Sequence, residues 1–93
     1  MPVERFREIL RGEHARLAER LPGLVRYVQN HVLPDPGRKH PGWDAVVELV
    51  WPEPEVMEAS WQSPEGREAT AHLDEFADLS KSRWSIVDEE VRR

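Results

Sequence analysis

The sequence predicts a single α+β domain over residues 1–93 on three observations. An apolar stripe of helical period lies near the N-terminus, two segments of period two follow it around a Pro- and Gly-rich turn, and a Ser-Pro pair opens a second helical stretch. "PVERFREILRGEHARLAERLPG" carries the stripe, with Val3, Phe6, Leu10, His14, Leu17 and Leu21 recurring at spacings of three and four. Pro2 suits the first turn, and Pro22-Gly23 stops the helix. One member of the stripe is a histidine.

"LVRYVQNHVL", residues 24–33, is rich in β-branched side chains and reads as a strand. Val25, Tyr27, Gln29, His31 and Leu33 fall on one face, and Leu24, Arg26, Val28, Asn30 and Val32 on the other. "PDPGRKHPG" then makes a long turn, so "WDAVVELVW" should return as the antiparallel partner. In that second strand Trp43, Ala45, Val47, Leu49 and Trp51 form a core face. The opposite face sets Asp44 and Glu48 among valines, and a carboxylate in a confined interior must be paired, hydrogen-bonded or protonated.

After Trp51, "PEPEVMEASWQ" predicts a short helix with acidic residues in its first turn. Ser63 and Pro64 are the N-cap and first position of another helix, with Ala69, Leu73, Phe76 and Ala77 on one face. "SRWSIVDEEV" reads as a closing strand, giving the order α, β, β, α, β, an antiparallel sheet packed on two helices.

Thirteen basic against eighteen acidic residues give a net charge of −5 with no basic patch, so nucleic acid is not an expected partner. The absence of cysteine removes disulfides, thiolate metal sites and a Cys nucleophile, and no apolar run predicts a signal peptide or membrane span. A cytoplasmic protein is expected. His14, His31, Asp44 and Glu48 lack metal-ligand spacing and no glycine-rich phosphate loop is present, so neither metal nor other cofactor is expected.

In order along the chain, "FREILRGEHARLAERLPGLVRYVQNHV", "WDAVVELVW" and "SPEGREATAHLDEFADLSKSR" resemble the EthD-like family of ferredoxin-like dimeric α+β barrels. The resemblance implies a βαββαβ unit whose sheet packs face to face with that of a second subunit, hence a homodimer, with a pocket for a small-molecule ligand. Family members carry a strand ahead of the first helix, centrally placed in the sheet; it is missing or replaced here. Upstream residues, a different pairing of the last strand, or a partner would then fill its slot.

His14 matches the family's helix-borne histidine, which lines the pocket in lactone-isomerising relatives, and Tyr27 matches a pocket tyrosine of the same relatives. The resemblance therefore implies cofactor-independent acid–base chemistry, as an isomerase, a decarboxylase or an oxidoreductase-related protein, on an aromatic, lactone-like or polyketide-like compound. A histidine titrates near neutrality and suits proton transfer; a phenol can hold a carbonyl oxygen. His14, Tyr27 and His31 are the catalytic candidates, and Gln29, Asp44 and Glu48 the substrate-binding ones. Each has a plainer role: His14 as a satisfied core histidine, Tyr27, Gln29 and His31 as an interface row, and Asp44 and Glu48 as ion-pair partners of Arg26 or another base. His40 belongs to the exposed turn, and His72 reads as a surface residue. Two further functions stand beside the enzyme: a non-catalytic ligand-binding or accessory dimer associated with a haem monooxygenase system, and a purely structural assembly module.

Overall fold

The computed structural model describes residues 1–93. Its first helix, α1, covers residues 3–18 as three consecutive pieces: α-helical Val3–Ile9, a π turn at Leu10–His14, and α-helical Ala15–Ala18. The sequence explains the π turn. Phe6, Leu10, His14 and Ala18 face inward at steps of four, and each such step overshoots a full α-helical turn by about 40°, or about 120° over three steps. One extra residue in a turn rotates the stripe back by about 100°, so all four side chains stay on the inner face. Leu21 was expected to end this helix; the α-helix stops at Ala18 instead, and i→i+3 bonds from Arg20 to Leu17 and from Leu21 to Ala18 tighten the exit. Gly23 then turns with φ of 74°, where a side chain would be strained and would also collide with Val56.

β1 (Arg26–His31) and β2 (Ala45–Val50) form a two-stranded antiparallel hairpin. Tyr27 lies opposite Leu49, Gln29 opposite Val47 and His31 opposite Ala45. Those pairs make the inner face, where Tyr27, Leu49 and Trp51 pack with Leu17, Leu24 and Trp61 around buried Ala18, Leu21 and Ala69. The alternate pairs, Arg26–Val50, Val28–Glu48 and Asn30–Val46, form the outer face, on which no helix packs. Trp43, expected on the core face, lies before β2 and is half exposed.

α2 (Pro54–Gln62) and α3 (Pro64–Phe76) meet at a sharp corner. Ser63 caps α3 as expected, its Oγ accepting from Gly66 N at 3.0 Å while its hydroxyl donates to Ser60 O at 2.6 Å. The corner is so tight that a Cβ on Gly66 would overlap the Ser60 carbonyl. After α3, Asp78 caps a short 3₁₀ turn, Leu79–Lys81, by accepting from Ser80 N at 3.1 Å. The hydrogen bonds from Ser80 hold the Asp78 carboxyl below the usual carboxylate range.

The expected closing strand does not form: residues 82–93 carry no regular structure. A strand needs a neighbour with a matching row of free backbone groups, and no backbone hydrogen bond joins this segment to either strand of the hairpin. Its one side-chain tie to the hairpin is Glu89 to Arg26 at 3.5 Å, both about half exposed. Trp84, Ile86, Val87 and Val91 are left in solvent. Only eight of 93 residues are buried, and the radius of gyration is 14.3 Å, where a compact chain of this length would have about 12 Å. The single chain thus leaves much apolar surface uncovered.

Candidate functional site

β1 runs antiparallel to α1 and hands each inward side chain to a different turn of the helix. Tyr27 packs against the cluster of Ala18, Leu21 and Ala69, Gln29 reaches Leu10, and the carbonyl of Val32, just past the strand, accepts from Arg7 at 2.8 Å. The Gln29 amide nitrogen donates twice: to the Leu10 carbonyl inside the π turn at 2.7 Å and to the Tyr27 hydroxyl at 2.8 Å. His14 lies one turn beyond Leu10, at the end of the π turn. It makes no hydrogen bond to Tyr27; the connection runs through Gln29 and the π turn.

Tyr27 is the phenol such a site needs. Burial raises its pKa first, the Gln29 hydrogen bond works against that, and the charge of Glu19 adds to the rise. It therefore keeps its proton at neutral pH. With its oxygen already accepting from Gln29, its own O–H is free for a ligand oxygen.

His14 is buried, 7 % exposed. Its Nδ1 lies 3.0 Å from Nδ1 of His72 on α3, and Phe76 closes on both rings at centroid distances of 5.2 Å. Burial, and then the positive charge of His72, push the His14 pKa from 6.5 to about 4. The ring is thus a neutral imidazole at pH 7. Its Nε2 has no protein partner and is not sealed from solvent, since the buried side-chain atoms without partners are His31 Nδ1 and Ser60 Oγ.

His72 is a member of this cluster that sequence reasoning missed. It reads as a surface residue, yet its side chain is only 11 % exposed, and its Nε2 faces Glu13 at 3.5 Å and Glu75 at 4.0 Å. The signal was present: His72 falls three residues after Ala69 and four before Phe76, on the same packed stripe.

His31 shares the inner face with Gln29 but bonds to neither Gln29 nor Tyr27. Its buried Nδ1 has no partner, and burial followed by the charges of Arg11 and Arg7 lowers its pKa. Arg7 and Arg11, with Glu4 and Glu8, also line a shallow depression on α1.

Asp44 and Glu48 are placed apart from these groups. Glu48 is on the outer sheet face and accepts from Asn30 at 2.9 Å. Asp44 lies in the turn before β2, 3.8 Å from His40, whose Nδ1 accepts from Gly42 N. Neither meets Arg26, which contacts Glu89. His14 and His72 supply two convergent nitrogens, but no set of three His, Asp or Glu side chains gathers around one point. No helix is long and apolar enough to cross a membrane.

No curated protein and no solved structure matches the chain. The model of one family does, the EthD domain, over residues 1–80. That span holds α1 with His14, the hairpin with Tyr27, Gln29 and His31, and α3 with His72, so the whole candidate site lies within it. On this match the chain belongs to the EthD domain family.

Proposed function

We propose that this chain is a cofactor-independent acid–base enzyme acting on a small carbonyl compound with an acidic C–H, of the aromatic-acid, lactone or polyketide-like class, as an isomerase or decarboxylase. One observation carries the reading: His14 is a neutral imidazole with one nitrogen fixed by His72 and the other open, on a helix turn pinned by Gln29 to the Tyr27 phenol. In an isomerisation His14 Nε2 takes the proton α to the carbonyl, and the Tyr27 O–H donates to the oxygen on which negative charge develops. His14 then returns that proton at a second carbon. In a decarboxylation no C–H proton is removed: the C–C bond breaks to release CO₂ and leave its electron pair as the enolate held by Tyr27, and His14 passes a proton taken from water to that carbon. Arg11 and Arg7, whose charges act on His31, supply a positive surround that suits an acidic substrate group. Gln29 orients the phenol.

The catalytic form in this proposal is a homodimer. Support comes from the small core and from the outer sheet face, where Val46 is 47 % exposed beside the Asn30–Glu48 pair. Pairing that face with a second copy encloses Asp44 and Glu48 at the subunit boundary, where they contact substrate only if the pocket extends through it. A ligand bound at the same place without turnover would make the chain an accessory protein instead.

The test is a thermal-shift screen of aromatic acids, lactones and polyketide-like carbonyl compounds, followed by conversion assays on the hits. His14→Gln should keep binding and lower the chemical step by ~10²- to 10⁴-fold. Tyr27→Phe should be milder. Equal turnover by wild type and His14→Gln would refute the assignment, and binding without turnover by wild type would favour the accessory reading.

A further inference from the structure

The two histidines meet in a way that fixes more than packing. Their planes differ by 14° while the centroids are 5.2 Å apart and the Nδ1 atoms 3.0 Å apart. The centroid separation exceeds the nitrogen separation by about the width of a ring, so the imidazoles do not overlap face over face. They meet edge to edge, nitrogen to nitrogen, in the geometry of an N–H···N hydrogen bond. A single proton lies between them. The Nε2 of His72, on the far side, faces the carboxylates of Glu13 from α1 and Glu75 from α3.

We propose that His72 is a positioning residue that makes His14 a base: His14 carries its proton on Nδ1 and donates it to Nδ1 of His72, while His72 Nε2–H points to Glu13 and Glu75. The carboxylates set the preferred direction, since they accept only and, at 3.5 and 4.0 Å, their charges favour the His72 proton on Nε2. His72 Nδ1 is then a lone pair, His14 Nδ1 must be the donor, and His14 Nε2 is left bare toward the open side. When His14 Nε2 takes a proton from a substrate carbon, the shared proton crosses from His14 Nδ1 to His72 Nδ1. One proton enters, one shifts, and the new positive charge rests on His72 beside the two acids, while the electron pair stays on the substrate as an enolate. The return step reverses both transfers. Glu13 and Glu75 are the carboxylates within ion-pair reach of the two rings; Arg7 and Arg11 face His31 instead. Burial is the larger cause of the lowered His14 pKa, and the charge of His72 is the second, as the cost of placing two charges on the pair requires.

This inference rests on the acid–base reading for its purpose but not for its test, which uses no substrate. Long-range ¹H–¹⁵N NMR of the full chain reads the protonation of each ring nitrogen. In the neutral pair His14 should show a protonated Nδ1 and a bare Nε2, and His72 the reverse. Across a pH titration the pair should take up protons in two separate steps. Glu13→Gln combined with Glu75→Gln should move the first step to lower pH, and His72→Phe, which keeps a ring beside Phe76, should leave His14 with a single step. A neutral pair in which His14 holds its proton on Nε2 overturns the proposal, as does a first step unmoved by loss of both carboxylates. If His72→Phe does not fold, the wild-type tautomers and the carboxylate variants still decide. Turnover lost in His14→Gln with the wrong tautomer would leave the enzyme assignment standing and the relay refuted. The right tautomer with no substrate found would do the opposite.

Discussion

Replacing Gln29 by Leu removes both donations of its amide, the one that joins β1 to α1 at 2.7 Å to Leu10 O and the one within β1 at 2.8 Å to Tyr27 Oη. Each such bond contributes about 1 kcal/mol net, so the variant should lose about 2 kcal/mol. For a domain of this size that lowers the melting temperature by about 8–16 °C. Tyr27 gives a second, sharper readout. It is the chain's single tyrosine, so absorbance of the tyrosinate reports this phenol and no other. Burial already raises its pKa and the Gln29 bond opposes that rise; without the bond the titration midpoint should move further up. Because the folded pKa exceeds the unfolded one, the unfolded state ionises first, and stability should fall as pH rises above about 10, the ordinary tyrosine value. An unchanged melting temperature, or a midpoint that moves down, would show that Gln29 does not hold the phenol to the helix.

Acid should destabilise the chain in a defined window. His14 titrates at about 4 when folded against 6.5 unfolded, so its contribution is present above pH 6.5 and lost as pH falls toward 4. The discount for solvent reaching the ring leaves about 1–2 kcal/mol, read as the difference in urea stability between wild type and His14→Gln across that range. Gly66→Ala should cost at least about 1–3 kcal/mol, because its Cβ overlaps the Ser60 carbonyl at the α2–α3 corner; denaturation at wild-type stability would contradict the tight crossing. Light scattering should give a dimer at micromolar concentration and a monomer for Val46→Arg on the outer sheet face. A wild-type monomer would refute the proposed assembly.

The elements whose signal is local were legible from the sequence. The Ser63-Pro64 cap, the hairpin and the inner face of Tyr27, Gln29 and His31 follow from turn chemistry and period two. The last strand was not, because a strand depends on an edge that its own residues do not specify, and residues 82–93 find none here. Stripe membership identified His14 but left His72 on the surface, since four-residue spacing on α3 does not reveal which helix lies opposite. The π turn could have been read from the repeated steps of four at Phe6, Leu10, His14 and Ala18. Asp44 and Glu48 were expected in a confined interior; in the chain both are exposed, Glu48 on the outer sheet face and Asp44 in the turn before β2, and which body covers that face is a property of the assembly rather than of the strand.

Solvent-deuterium exchange tests the central claim most directly, because it follows proton transfer whether or not a net product forms. A carbonyl compound that binds the chain is incubated in D₂O, and loss of its α-C–H signal is followed by NMR. Wild type should catalyse the exchange, Tyr27→Phe should slow it, and His14→Gln should slow it by ~10²- to 10⁴-fold while still binding the compound. Exchange at the wild-type rate in His14→Gln would contradict the claim that this histidine moves the proton.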